Sequence, residues 1–343
     1  MKRIRLSQIP LVLMLVLAPL TARGAVARPG YGGTAGCASA CVTEYALPPA
    51  SAGPFGITRG PDGAIWFSHG DKVGRITIAG TVTEYTVPTA NSGLGWLHVG
   101  PDRAIWFAER DSNKIGRITT RGTFTEYPIP TAGSLCDGPP LSSVPQGIAT
   151  GADRALWFTE ECGNKIGRIT TDGAITEYPV PTQDSHPLGI ADGPDGALWF
   201  VEKKAATIGR ITTAGVITEY PLTPGALPQR IARGPDDALW FSELGANKIG
   251  RITTAGVITE YAVPGAGGPV GITAGPDRAL WFVEFKGNAI GRMNVAGQVT
   301  NEYPIPTPNS GALQIAVGSP RSLWFTEGLG KNNKLGRVAL TGR

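Results

Sequence analysis

Short apolar runs recur along the whole chain, separated by turns rich in Gly, Pro, Asp and Thr. One unit shows the pattern. Gly189-Ile190-Ala191 is a short run of small and branched residues. Gly193-Pro194-Asp195-Gly196 follows as a turn, with Pro fixing φ and Gly free to take the left-handed conformation. Leu198 to Glu202 is a second strand, Thr207 to Thr212 a third and Val216 to Tyr220 a fourth. Pro221 and Pro224 then break the ladder. No segment carries a 3.6-residue period, so the pattern predicts strands throughout.

The unit repeats seven times. Trp-Phe pairs begin at Trp66, Trp106, Trp157, Trp199, Trp240, Trp281 and Trp324, with steps of 40, 51, 42, 41, 41 and 43 residues. A Glu-Tyr pair recurs seven times, and a Gly-Arg pair follows each of the seven Trp-Phe pairs, ending at Arg75, Arg117, Arg168, Arg210, Arg251, Arg292 and Arg337. Four short strands in about 42 residues is the signature of a propeller blade. The last repeat lacks its outer Glu-Tyr strand, and a spare copy, Val42 to Pro48, precedes the first complete unit. The expected fold is therefore all-β: a seven-bladed β-propeller of four-stranded antiparallel blades, closed by the N-terminal strand joining the last blade. Such closure removes an exposed strand edge.

Composition agrees with this reading. The 343 residues are 41% hydrophobic and 17% charged, with 48 Gly and 29 Pro, which supports a large core and many turns. Residues 1–27 read as a signal peptide: Lys2, Arg3 and Arg5, an apolar stretch from Ile9 to Leu20, then Ala25-Val26-Ala27. Of the net charge of +4, all four units lie in this leader, whose removal leaves 27 residues of each sign. Basicity is then no argument for nucleic acid. No later apolar run is long enough to span a membrane. The expectation is a secreted or periplasmic monomer, with residues 28–41 as an N-terminal segment and 42–343 as the propeller.

An exported chain tends to pair its cysteines. Four allow three connectivities. Cys37 and Cys41 are close in sequence. Cys136 lies in the insertion Gly133 to Ser143, and Cys162 lies in a loop on the same face. Cys136–Cys162 with Cys37–Cys41 is the favoured pairing. Zinc is the rival, without Cys-x-x-Cys spacing to support it.

Features common to all repeats point to structure. The Trp-Phe pairs are expected to pack between blades, and the Gly-Arg arginines to pair across strands with the Glu-Tyr glutamates. A Glu stands two residues after each Trp-Phe except in the first blade, which has His69. These carboxylates, Glu284 and Glu327 among them, either hold a hard cation or pair within their own blades. Departures from the repeat are the better site candidates. Trp96, Arg230 and Gln314 replace the Gly that opens the inner strand elsewhere, and His98 follows Trp96 by two. Gln146, His186 and Gln229 lie just before or at the start of such strands. All should gather at one central mouth, the default ligand site. His98 reads equally as a core histidine, and His186 as a solvated loop residue.

The repeat Thr-Glu-Tyr-Pro-x-Pro-Thr, Ala-Leu-Trp-Phe-x-Glu and Asn-Lys-Ile-Gly-Arg-Ile-Thr, clearest at Thr176–Thr182, Ala197–Glu202, Asn164–Thr170 and Asn247–Thr253, resembles that of the streptogramin B lyases. The resemblance implies a seven-bladed propeller. It also implies elimination at the ester of a cyclic depsipeptide, with Mg²⁺ held by glutamates and a His as base. Its motif places His at the start of two successive inner strands. The seven equivalent positions here are Phe55, Gly95, Gln146, Leu188, Gln229, Val270 and Leu313, and of the metal positions only Glu327 matches. The sequence thus points to a lyase-like propeller that binds a small molecule or peptide at its mouth. The alternatives are a metal-assisted lyase using His98, His69 or His186, and a protein-interaction scaffold.

Overall fold

The computed structural model describes residues 42–49, 53–131, 144–329 and 332–340. They form seven four-stranded antiparallel sheets arranged as blades in a ring, without helices. Blade 1 consists of Pro54–Arg59, Ile65–His69, Lys72–Ile76 and Val82–Thr86, from the axis outward. Blades 2 to 6 repeat this order. Blade 7 takes its inner three strands from Ala312–Ser319, Ser322–Glu327 and Lys334–Ala339, and its outer strand from Val42–Ala46. The closing register runs from Val42 opposite Val338 to Ala46 opposite Lys334. The leader, the segment 28–41 and Cys37, Cys41 and Cys136 lie outside the described residues, and so does the proposed pairing of Cys162 with Cys136.

The recurring dipeptides have local causes. Each Trp is buried between blades and, in each blade, stacks on the Tyr of the outer strand, as Trp66 does on Tyr85 at 5.8 Å between centroids. Each Phe ring crosses the Gly of the neighbouring Gly-Arg: a Cβ on Gly116 would overlap the Phe107 ring. Any larger residue there would force the ring out of the core.

The expected pairing of the Gly-Arg arginine with the Glu-Tyr glutamate is not what forms. Arg75 is in register with Thr83, and Glu84 with Gly74, so the two charges project to opposite faces of the blade. The arginine instead meets the Asp of the Pro-Asp turn. In blade 4, Arg210 Nε donates to Asp195 Oδ2 (2.7 Å) and Trp199 Nε1 donates to Oδ1 (3.1 Å). Burial alone would raise the Asp195 pKa, but these two hydrogen bonds outweigh it and hold it below the usual range. Blade 7 has Pro320 in place of this Asp, and both Trp324 Nε1 and Arg337 Nε are buried there without an acceptor. The outer-strand glutamate works between blades. Glu177 accepts from the backbone and hydroxyl of Thr131, which ends the previous blade, at 3.1 and 2.8 Å. Glu44 does the same with Thr307, so the ring is stapled across its closure too.

Candidate functional site

The inner strands converge on an axial channel. Gly56, Gly147, Gly189 and Gly271 lie against the backbone of the next blade; a Cβ on Gly271 would stand 2.5 Å from Leu313 O. Blades 2, 5 and 7 replace this Gly with Trp96, Arg230 and Gln314, and the three side chains meet on the axis. The Arg230 guanidinium lies over the Trp96 ring, a favourable cation–π arrangement. The Gln314 amide, oriented to satisfy its neighbours, accepts from Arg230 Nε and Nη2. Ile57, Ile148, Ile190, Ile231 and Ile272 form the wall around them. The remaining cavity is about 110 Å³. That admits a few waters, well short of the roughly 300–1,000 Å³ of a small-molecule site. The three residues therefore act as a floor, and a ligand would rest above them.

On one side of that floor lies a polar chain that sequence reasoning only half found. Gln146 is 3% exposed and donates through Nε2 to Glu161 Oε2 at 2.8 Å. Glu161 Oε1 lies 3.6 Å from His186 Nδ1, and His186 Nε2 lies 2.9 Å from Asp184 Oδ1. Burial would raise the Glu161 pKa, but His186, Lys203, Gln146 and Arg110 together hold it below the carboxylate range. The facing Glu161 carboxylate in turn raises the His186 pKa, with Asp184 adding to it. Burial opposes the Arg230 charge, and Glu161 favours it; a guanidinium keeps its proton under such conditions. Arg110 and Glu161 escape sequence reasoning because they stand outside the inner strands. Their signal is the position one residue beyond each Trp-Phe-x-Glu.

The other predicted residues do not join this group. Gln229 donates to Leu227 O within its own blade, at 3.0 Å. His98 sits farther along its strand, opposite Trp106. Burial lowers its pKa and Asp192 opposes this. His69 is buried in the seam between blades 1 and 7, with Nδ1 2.6 Å from Glu84 Oε1 and Nε2 2.5 Å from Asn333 Oδ1.

The repeated second-strand glutamates are fully buried, and they form pairs within blades. Glu160 lies within hydrogen-bonding reach of Glu177 on the outer strand, and Glu202 of Glu219. Burial, then the facing charge, pushes Glu160, Glu202 and Glu327 up to about 8. Glu109 and Glu243 rise to about 7. On the outer strand of blade 3, burial at Glu177 is outweighed by Thr131 and Lys165, and its pKa is lowered. Glu160 and Glu177 are thus pushed apart in proton affinity. In blade 1, His69 takes the place of the second-strand glutamate and faces Glu84.

Mg²⁺ needs ionised oxygens directed at one point. Burial and the charge of Glu44 raise the Glu327 pKa to about 8, the inner-strand neighbours are Val270 and Leu313, and Gly311 stands where the resemblance implies a second carboxylate. Among the described residues, no group of three or more His, Cys, Asp or Glu is placed to hold a metal. The residues do not fit the ion that the resemblance implies. No helix of the described residues is long and apolar enough to cross a membrane.

Comparison with known proteins covers nearly the whole ring. The solved streptogramin B lyase structure is 40% identical, with a TM-score of 0.80, covering 88% of this chain and 97% of that one. A structure of catalytically inactive virginiamycin B lyase from Staphylococcus aureus with quinupristin is also 40% identical at a TM-score of 0.80, over 88% and 99% of the two chains. The virginiamycin B lyase of Bordetella parapertussis is 50% identical over 38 residues, 11% of this chain and 13% of that protein. That alignment spans only a small part of the curated relative's length. The sequence model of the virginiamycin B lyase family matches residues 36–138 and 134–343. With blade count, closure and repeat all in agreement, the chain belongs to the virginiamycin B lyase family.

Proposed function

We propose that this protein is an exported member of the family that binds a small molecule or peptide at its central mouth and has given up the family's elimination chemistry. One observation carries the reading: none of the seven inner-strand positions holds His, and the axis is filled by Trp96, Arg230 and Gln314. Elimination needs a base near neutrality and a stabiliser for the enolate. His186 is engaged by Glu161 and Asp184, and His98 and His69 lie away from the mouth cluster.

The test is direct. The purified protein is incubated with quinupristin and Mg²⁺, beside the Staphylococcus aureus lyase as positive control, and the ring-opened product is followed by mass spectrometry. The expected result is intact quinupristin with this protein alone. Linearisation at a rate near the control's would sink the proposal. A ligand screen is then repeated with Trp96→Ala and Arg230→Ala, which should abolish binding of hits at the mouth.

A further inference from the structure

The rim of the mouth changes character around the ring. The residue after each second strand is charged in blades 2 to 4 (Arg110, Glu161, Lys203) and apolar in blades 5 and 6 (Leu244, Phe285). Blades 7 and 1 carry Gly328 and Gly70. In the layer beneath, Gln146 lies in the blade of Glu161 and Val270 in the blade of Phe285, while blades 4 and 5 carry Leu188 and Gln229. Leu244 and Phe285 pack against the cluster that contains Val270. Nearby, Leu227 is 40% exposed.

The Arg110 stem crosses Gly95, where a Cβ would stand 3.2 Å from Arg110 Cγ, and its guanidinium reaches the Phe55 ring at 5.5 Å. Gly95 is what lets this arm lie across the mouth. Lys203, His186, Arg110 and Arg230 all act on the Glu161 carboxylate. Asp184 engages His186 and Lys204, and Asp111 lies beside Arg110. Arg110, Lys203, Lys204 and Arg230, with His186, share this sector with Glu161, Asp184, Asp111 and, beside Asp111, Asp71. The Arg110 and Lys203 heads stand at its rim, across from an apolar wall. Trp96 Nε1, in a residue only 8% exposed, is a donor without an acceptor in the floor beneath.

We propose that the mouth takes an amphiphilic monocarboxylate, with its carboxylate against Arg110 and Lys203 and its apolar body on Leu244 and Phe285. This rests on the ligand-binding reading above. A guanidinium and an ammonium beside hydrophobic surface satisfy both ends of such a molecule. A free acyl or aryl acid and the C-terminus of an apolar peptide share this chemistry.

The experiment is calorimetric titration of the full chain at pH 7 with octanoate, octanol and octylamine. Acetyl-Ala-Ala-Leu-Phe is titrated as free acid and as amide to separate the two sources. Octanoate or the free-acid peptide should bind at least tenfold more tightly than its uncharged or cationic counterpart. Arg110→Gln should lose tenfold or more, and Arg110→Lys should recover most of it, which separates charge from folding. Equal binding of octanol or octylamine, or an unchanged Arg110→Gln, would overturn the assignment. So would an uncharged screening hit at the mouth with no carboxylate binding, though the ligand-binding role would then survive. If no ligand of any class binds there, both readings fall.

Discussion

Glu160 and Glu177 face each other on the second and outer strands of blade 3, and their proton affinities are driven apart, Glu160 up to about 8 and Glu177 below its usual range. The Gly of the intervening strand makes this possible. In blade 2 the equivalent Gly116 leaves Glu109 Oε1 only 2.8 Å from where a Cβ would be. The buried carboxyl reaches its partner through a gap in the side-chain layer.

Stability should therefore decline toward alkaline pH. The folded-state pKa of Glu160 is raised to about 8, so the folded protein binds more protons than the unfolded chain between about pH 4.5 and 8. Stability falls as pH rises through that window. Glu160→Gln keeps a neutral partner for Glu177. At pH 9 the variant should be more stable than the parent by ~2–4 kcal/mol, since each tenfold change in proton affinity is worth ~1.4 kcal/mol, and the advantage should vanish by pH 5. Denaturant melts at the two pH values measure it; an equal difference at both would show that the Glu160 pKa is not raised.

The Pro-Asp turn predicts a matched pair of substitutions. Asp195→Ala strands the donors of Trp199 and Arg210 and should cost about 2–3 kcal/mol. Pro320→Asp offers an acceptor to Trp324 and Arg337 and should gain about 1 kcal/mol after the entropy lost with proline. Urea unfolding midpoints report both, and the second should raise the midpoint.

The floor of the mouth separates binding from stability. Arg230→Met replaces a half-buried cation with an apolar side chain of similar length. Stability should change by less than about 2 kcal/mol in either direction, while mouth ligands are lost. Trp96→Ala removes a ring packed on Leu188 and Ile231 and should cost about 3 kcal/mol. Thermal unfolding beside ligand titration distinguishes the two.

Gly116→Ala tests the stacked core. The added methyl overlaps the Phe107 ring and meets Glu109 at 2.8 Å, through backbone that cannot retreat from a central strand. A loss of about 3 kcal/mol or more is expected, read from the denaturant midpoint. The same change at Gly63, a turn position with nothing within 4 Å, should cost far less, and only through its φ of 78°.

The ring and its closure were legible because the repeats carry their own register and the missing Glu-Tyr strand has a spare copy at Val42–Ala46. The axial floor was legible as well, since Trp96, Arg230 and Gln314 break a rule that Gly56, Gly147, Gly189 and Gly271 keep. The Asp195–Arg210–Trp199 group was harder to read. Asp195 looked like a turn residue, and only the antiparallel register shows that Arg210 faces it while Glu219 faces away. The rim was missed for another reason: Arg110, Glu161 and Lys203 follow a strongly repeated motif and look like loop punctuation until the seven positions are set side by side.

Val42 and Val338 are partners 296 positions apart, the widest separation a strand pair in this fold demands. A tether that long adds ~4 kcal/mol of closure entropy over a tight hairpin, and it cannot be formed until the strand Lys334–Ala339 has been made. Up to that moment the nascent protein is an open arc with unpaired edges at both ends. Truncation within the final blade should therefore leave a sticky crescent, and assembly of the finished torus behaves as a checkpoint on chains that carry all seven blades.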